Sequence, residues 1–258
     1  MPRAFTRAVS PRLTDCELTH LQRTAIDVRL AAEQHDEYER QLEAAGVDVV
    51  RLPALPEHAD GVFVEDTALL LSHHAVILRP GAASRAPETG STAEGLAPHF
   101  ELHRITSGHV DGGDVLRIGK TLHVGLSTRT DADGIAALRD IVRPIGFNVV
   151  QAALKGCLHL KTGATLAGPD PAGAMVLLFN RDSVDPAQFA GVEPMAVDAG
   201  EPDAANCLRV GDRLILPAGN PRTADAVRAR GFNVVEVDVS ELQKAEAGVT
   251  CMSLIGEV

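Results

Sequence analysis

Two stretches decide the architecture: "DVLRIGKTLHVGLSTRTDADGIAALRDIVRPIGFNVV" (Asp114 to Val150) and "NCLRVGDRLILPAGNPRTADAVRARGFNVVEV" (Asn206 to Val237). Each opens on an apolar strand, "VLRIG" or "CLRVG", turns tightly at Gly119 or Gly211, and returns through a second strand. Each then reaches an Arg-Thr pair (Arg129-Thr130, Arg222-Thr223), enters a helix, and closes on the identical string "GFNVV". A glycine ending a helix, followed by an apolar run, is a helix stop that feeds a strand. The unit is strand, turn, strand, helix, strand.

Further copies flank these two. One runs from Asp66 to about Thr89 ("DTALLLSHHAVILRPGAASRAPET"), with a helix-like "TAEGLAPHF" and then "LHRI". A more degenerate one runs from "LKTGATLAGPDPAGAMVLLFN" into "VEPMAVD". The N-terminal segment supplies a fifth in part: "AFTRAVS", the helix "DVRLAAEQHDEYERQLEAAG" with Leu30, Ala31, Tyr38 and Leu42 at helical spacing, and the strand "VDVVRLP". Five such units predict a closed, propeller-like α/β ring of ββαβ modules around a central cavity, with residues 1–258 forming a single domain. The competing architecture is a doubly wound open sheet, which also alternates strands and helices. Strand pairs joined by tight turns count against it, because parallel strands connect through helices.

Composition narrows the function. The chain of 258 residues has 45% hydrophobic and 23% charged residues, the profile of a soluble globular protein with ample core. With no Trp, one Tyr and seven Phe, it has few platforms for stacking bases. A formal net charge of -11 disfavours a phosphate-backbone partner and suits a cationic small molecule. No apolar run is long enough to span a bilayer, and the N-terminus lacks the apolar core of a signal peptide. Cys16, Cys157, Cys207 and Cys251 are too scattered for a zinc motif or a disulfide framework, which points to reduced thiols in the cytoplasm. Exposed strand or helix faces could support a homodimer.

Polar strings that a core does not require lie near the module ends: "DGVFVED" (Asp60 to Asp66), "SR" (Ser84-Arg85), "HVDGGD" (His109 to Asp114), "STRT" (Ser127 to Thr130), "CLHLKTG" (Cys157 to Gly163) and "GVTCMSL" (Gly248 to Leu254). In a ring, equivalent ends converge on the axis. Asp60, Glu65 and Asp66 flank "VFV", whose alternation marks a buried strand; they are either solvated acids or a cage for a cation. Arg85 and Arg129, each between a second strand and a helix, are either exposed or a bidentate clamp for a carboxylate. Asp111, before Gly-Gly, is a turn residue or faces something that approaches closely. His159, on an apolar strand, is a satisfied core histidine or a general acid/base. Cys251 is a buried thiol, as Cys16, Cys157 and Cys207 are expected to be, or a nucleophile delivered at the end of a strand.

Taken together, "FVED", "RPGAASR", "DGGDVL", "VGLSTRT", "LHLKTG", "ANC…LPAG" with "PRT", and "GVTCMSL" resemble the dimethylarginine dimethylaminohydrolases, members of the pentein (guanidino-group-modifying) superfamily. The ordered set covers nearly the whole chain. The resemblance implies a five-bladed α/β propeller and hydrolysis of Nω,Nω-dimethyl-L-arginine, or the monomethyl form, to L-citrulline plus dimethylamine or methylamine. It implies Cys251 as nucleophile, His159 as general acid/base, and Asp111 working with the histidine. It also implies Asp66 on the guanidinium nitrogens with Glu65 beside it, Asp60 near the α-amino end, and Arg85 and Arg129 on the α-carboxylate. Leu18, in "CELT", matches a loop that closes over substrate and offers a main-chain carbonyl, and Ala245 offers another. No cofactor or metal is required, although a nucleophilic thiol makes inhibition by zinc an expectation. The alternatives are an arginine or other guanidine deiminase on the same fold, and a catalytically silent ring protein that binds a partner.

Overall fold

A computed structural model describes residues 2–257. The first unit contains strand β1 (Pro2–Thr6), helix α1 (Val28–Ala44) and strand β2 (Asp48–Arg51). The second contains β3 (Ala68–Leu71), β4 (His74–Ile77), α2 (Glu88–Leu96) and β5 (Glu101–Arg104). The third contains β6 (Val115–Ile118), β7 (Thr121–Gly125), α3 (Ala132–Val142) and β8 (Asn148–Ala152). The fourth begins with a single turn, α4 (Leu160–Gly163), and continues through β9 (Ala164–Pro169), β10 (Met175–Phe179) and β11 (Glu193–Ala196). The fifth has β12 (Leu208–Val210), β13 (Arg213–Pro217), α5 (Pro221–Ala229) and β14 (Asn233–Val237). A short α6 (Ser240–Gln243) and strand β15 (Leu254–Glu257) end the chain.

Local sequence explains these elements. Asp27 caps α1 by accepting the Leu30 amide at 3.0 Å. Ala31, Tyr38 and Leu42 form its buried stripe. The glycines of the two "GFNVV" strings, Gly146 and Gly231, adopt φ +88 and +95, a left-handed conformation that ends a helix at no steric cost. The second unit departs from expectation: its helix precedes "APHF" and ends at Leu96. In the fourth, the long helix is replaced by a 3-10 turn at Pro186–Gln188, as befits its degenerate sequence.

Among the described residues every sheet has three strands, with the middle one antiparallel to the first and parallel to the last. The first sheet reads β15-β1-β2, so the strand missing from the N-terminal unit comes from the C-terminus. Each middle strand is buried on both faces and sends alternate residues to opposite neighbours. Phe5 and Leu254 join Ala75 and Ile77 in the cluster between the first two sheets, while Val76 turns to Leu122, Val124 and Leu138 of the third. Leu116 meets Leu177 and Phe179, Val176 and Leu178 meet Leu214 and Leu216, and Ile215 meets Ala4, Tyr38 and Leu42. Five apolar clusters therefore sit at five successive junctions, the last returning to the first sheet. That pattern is a closed five-bladed α/β propeller, in which neighbours share a core and no sheet is buried alone.

One strand of every blade lines a cavity of about 250 Å³ at one end of the axis, including Leu69, Leu116, Leu166, Leu208 and Leu254. At the other end lie the segments that lead into those same strands. No helix among the described residues is long and apolar enough to cross a membrane.

Candidate active site

The polar strings occupy equivalent places in the ring. Glu65 and Asp66 lie in a 3-10 turn immediately before β3, and Asp111 leads the turn before β6. His159 is the N-cap of α4, just before β9, and Cys251 lies in the turn before β15. Three expectations about local structure are thereby corrected. "VFV" is buried but is turn and loop, because Arg85 claims the carbonyls of Asp60 and Phe63. His159 is a helix cap where a strand position was expected. Cys251 precedes a strand where it was expected to end one.

Asp60, Asp66, Arg85, Asp111, Arg129, His159, Ala245 and Cys251 line one pocket, together with Glu17, Phe63, Leu158, Glu246 and Ala247. The His159 Nε2 lies 3.0 Å from the Asp111 Oδ2 and 4.0 Å from the Asp66 Oδ1. Asp111 is itself fixed, its Oδ1 accepting the Gly81 amide at 2.8 Å. Asp66 accepts the Gly113 amide at 2.9 Å and pairs with Arg85 at 2.5 Å. Gly113 permits this approach: a Cβ there would stand 2.5 Å from the His159 Nδ1. Asp114 accepts the Leu160 amide at 2.9 Å and the Ser127 hydroxyl at 2.6 Å, tying the histidine turn to the third blade.

Electrostatics set the protonation states. Burial disfavours the His159 imidazolium, but Asp66, Asp111 and Asp114 outweigh it and raise the imidazole to about 9. Asp66 is lowered despite its burial, because His159 and Arg85 stabilise its charge. Burial pushes the Cys251 thiol up to about 12; Glu65 and Asp66 add to this, and the Gly248 amide, 3.3 Å from Sγ, opposes it. Burial also raises Asp60 to about 6, against the pull of Arg85 and the Glu17 amide. At neutral pH the site thus holds an imidazolium and a protonated thiol in one pocket, among carboxylates that a cation would neutralise.

Not every expected residue lies at the pocket wall. Glu65 sits beneath it, its carboxylate held by Lys161 at 2.5 Å and Thr250 at 2.7 Å. Lys161 and Thr250 carry no motif-level signal of this; only the ring places them together. Arg85 lines the pocket, but its guanidinium is engaged by Asp66, Glu88 and two carbonyls. Glu88, its partner three residues on, carries no sequence signal of this, because helix-start acids are ordinarily solvated. Leu18 is half-buried and packs against the core between the fifth and first blades. Arg129 donates to the Thr19 hydroxyl at 2.9 Å. Cys16 and Cys207 are buried as expected; Cys157 is only half-buried and lines a neighbouring chamber of about 300 Å³.

No family model matches the chain. A dimethylarginine dimethylaminohydrolase of Streptomyces coelicolor is 37% identical over 254 residues, 98% of this chain and 96% of its own length. A crystal structure of such an enzyme, a histidine-to-glycine variant in adduct with S-methyl-L-thiocitrulline, is 35% identical. It superposes with a TM-score of 0.90 over 99% of this chain and 100% of the other. The Pseudomonas aeruginosa enzyme, as a cysteine-to-serine variant complexed with citrulline, is 34% identical with a TM-score of 0.89 over 98% of each chain.

Proposed function

The chain belongs to the dimethylarginine dimethylaminohydrolase family, and we infer that it hydrolyses Nω,Nω-dimethyl-L-arginine and its monomethyl analogue. The products are L-citrulline and dimethylamine or methylamine. It is a hydrolase of C–N bonds in linear amidines, and its substrate is a small cation. The observation that carries the reading is the meeting of Cys251, His159, Asp111 and Asp66 in one pocket. The whole chain, 1–258, works as one catalytic unit, since the strand after Cys251 pairs with β1.

A guanidinium is a poor electrophile because its charge is delocalised. Held against Asp66, it offsets the burial and the carboxylate field that together keep the Cys251 thiol protonated. Substrate binding therefore promotes loss of the thiol proton to solvent, and the thiolate attacks the guanidinium carbon. As the C–S bond forms, a tetrahedral adduct results. The His159 imidazolium donates its proton to the departing amine nitrogen, and the C–N bond breaks to leave a thiouronium on Cys251. Neutral His159 then takes one proton from water, whose oxygen attacks the same carbon; the C–S bond breaks as the remaining hydroxyl proton passes to the departing sulfur, which restores the thiol and releases citrulline. Asp111 orients the imidazole throughout. Asp60 and the Ala245 and Leu18 carbonyls serve the α-amino end, and Arg129 and Arg85 the α-carboxylate side.

The deciding experiment is citrulline release from purified protein offered dimethylarginine, monomethylarginine, arginine and agmatine side by side. Turnover confined to the methylated substrates is expected. Preferential turnover of arginine or agmatine would retain the thiol chemistry and overturn the substrate.

A further inference from the structure

The pocket around Cys251 has room for only about 20 Å³ of solvent, far below the few hundred Å³ of an ordinary ligand site. An arginine-sized molecule therefore cannot be admitted until something moves, and the segment across the pocket is Glu17–Leu21. That segment has no regular structure and is fastened to four places on the ring. The Glu17 amide donates to Asp60 at 3.2 Å, and the Ser84 hydroxyl donates to the Glu17 carboxylate at 2.5 Å. Arg129 donates to the Thr19 hydroxyl.

The fourth fastening is of a different kind. The amides of Thr19, His20 and Leu21 all point at one carboxylate, that of Glu246, at 2.9, 2.5 and 2.5 Å. Three successive amides aimed at one point form an anion nest, and the anion is supplied by the opposite wall of the pocket. Glu246 follows Ala245 and has φ +60, a conformation that non-glycine residues rarely adopt. The other such residue among those described, Ser72, lies in a hairpin turn, where left-handed geometry is routine. At Glu246 the unusual backbone is what carries the side chain back over the pocket.

We propose that Glu246 is a positioning residue that latches the Glu17–Leu21 segment shut over bound substrate, acting through that segment rather than on the reacting atoms. Glu246 also lines the neighbouring chamber of about 300 Å³, as do His20 and Leu21. Releasing the three amides merges this chamber with the reaction pocket and provides the opening that admits substrate and discharges citrulline. The closed state carries the Leu18 carbonyl and shields the thiouronium from bulk water. Apparent affinity is reduced by the fraction of molecules that are open, so weakening the latch weakens binding more than chemistry.

The kinetic part rests on the dimethylarginine hydrolase reading; the exchange part does not. Amide hydrogen exchange of Thr19, His20 and Leu21 is measured in the substrate-free protein and in Glu246→Ala and Glu246→Gln, alongside thermal unfolding. The wild-type amides, on exposed residues, should be protected at least tenfold relative to Glu246→Ala, with Glu246→Gln between them because its amide oxygen still accepts. Melting temperature should be unchanged. KM for dimethylarginine should rise about tenfold in Glu246→Ala, well beyond any change in kcat, and Glu246→Gln should restore part of it. Unprotected amides in the wild type, or protection surviving in Glu246→Ala, would overturn the latch whatever the substrate proves to be. So would a fall in kcat with KM unchanged.

Discussion

The Nε2 of His159 stands 3.0 Å from the Oδ2 of Asp111, a carboxylate with no solvent exposure whose other oxygen is held by the Gly81 amide. Neither partner can turn away, so the imidazole plane is set by a fixed anion. Asp66 and Asp114 add to the same field, and together they raise His159 to about 9 against burial.

A pH profile tests this directly. Protonation of His159 is needed for departure of the amine, and bound substrate has by then released the thiol proton, so kcat should fall as pH rises through about 9. Asp111→Asn keeps the shape and removes one anion. Its alkaline limb should move to lower pH by roughly one unit, and kcat should drop by about 10² to 10³, the ordinary worth of an oriented acid/base. An unchanged limb would transfer the titration to another group.

Cys251 is predicted to become a thiolate only in company. With the free thiol pushed up to about 12 by burial and by Glu65 and Asp66, thiolate absorbance should be negligible at pH 7. It should appear when a non-hydrolysable guanidinium compound binds, and disappear in Cys251→Ser, which should fold normally and release no citrulline. Strong thiolate absorbance in the ligand-free protein would remove the need for assistance by the substrate cation.

How much of this was legible beforehand depends on what kind of signal each residue carries. The repeats "VLRIG…GFNVV" and "CLRVG…GFNVV" exposed the modules, because a glycine helix stop and an apolar strand are local events. The pairing of β15 with β1 was hidden: it joins residues at opposite ends of the chain, and nothing near Leu254 announces it. For the site, the strings themselves point to Cys251, His159 and Asp111. Nothing in the sequence singles out Lys161, Thr250, Glu88 or Glu246. Their significance lies in partners supplied by other blades or by a turn, as when Glu246 meets Thr19, which is 227 positions away. The leucines that flank His159 point to a strand, yet Asp114 draws the Leu160 amide into a helical turn.

Asp60 illustrates a site residue maintained against stability. Its folded pKa is raised to about 6 from an ordinary 3.8, chiefly by burial, so the fold holds that proton more tightly than the unfolded chain does. The associated stability is complete below pH 3.8 and is lost as pH rises through about 6. Asp60→Asn should therefore stabilise the protein at pH 8 by roughly 1–2 kcal/mol, or several degrees in Tm, and by almost nothing at pH 3. KM for dimethylarginine should rise at least tenfold in the same variant. Equal stabilisation at both pH values would mean that the carboxylate charge is not the cause.

The floor of the site gives the last prediction. Glu65, before β3, is held by Lys161, after the His159 turn, and by Thr250, beside Cys251; Asn206, before β12, donates to Thr250 at 3.1 Å and to the Lys161 carbonyl at 3.0 Å. Four blades are thus tied across the axis by one polar belt, which separates the reaction pocket from the 250 Å³ cavity beneath. The Glu65 amide also donates to the Cys251 carbonyl at 3.1 Å, so the belt sets the height of the nucleophile. Lys161→Met leaves a buried carboxylate with only Thr250 to satisfy it. Breaking such a pair from one side costs about 3 kcal/mol, whereas removing both charges costs far less. Urea unfolding should show Lys161→Met destabilised by about that amount and the double variant Glu65→Gln/Lys161→Met substantially recovered. If the double variant is as unstable as the two single changes added together, Glu65 and Lys161 do not act as a pair, and the floor is held by packing alone.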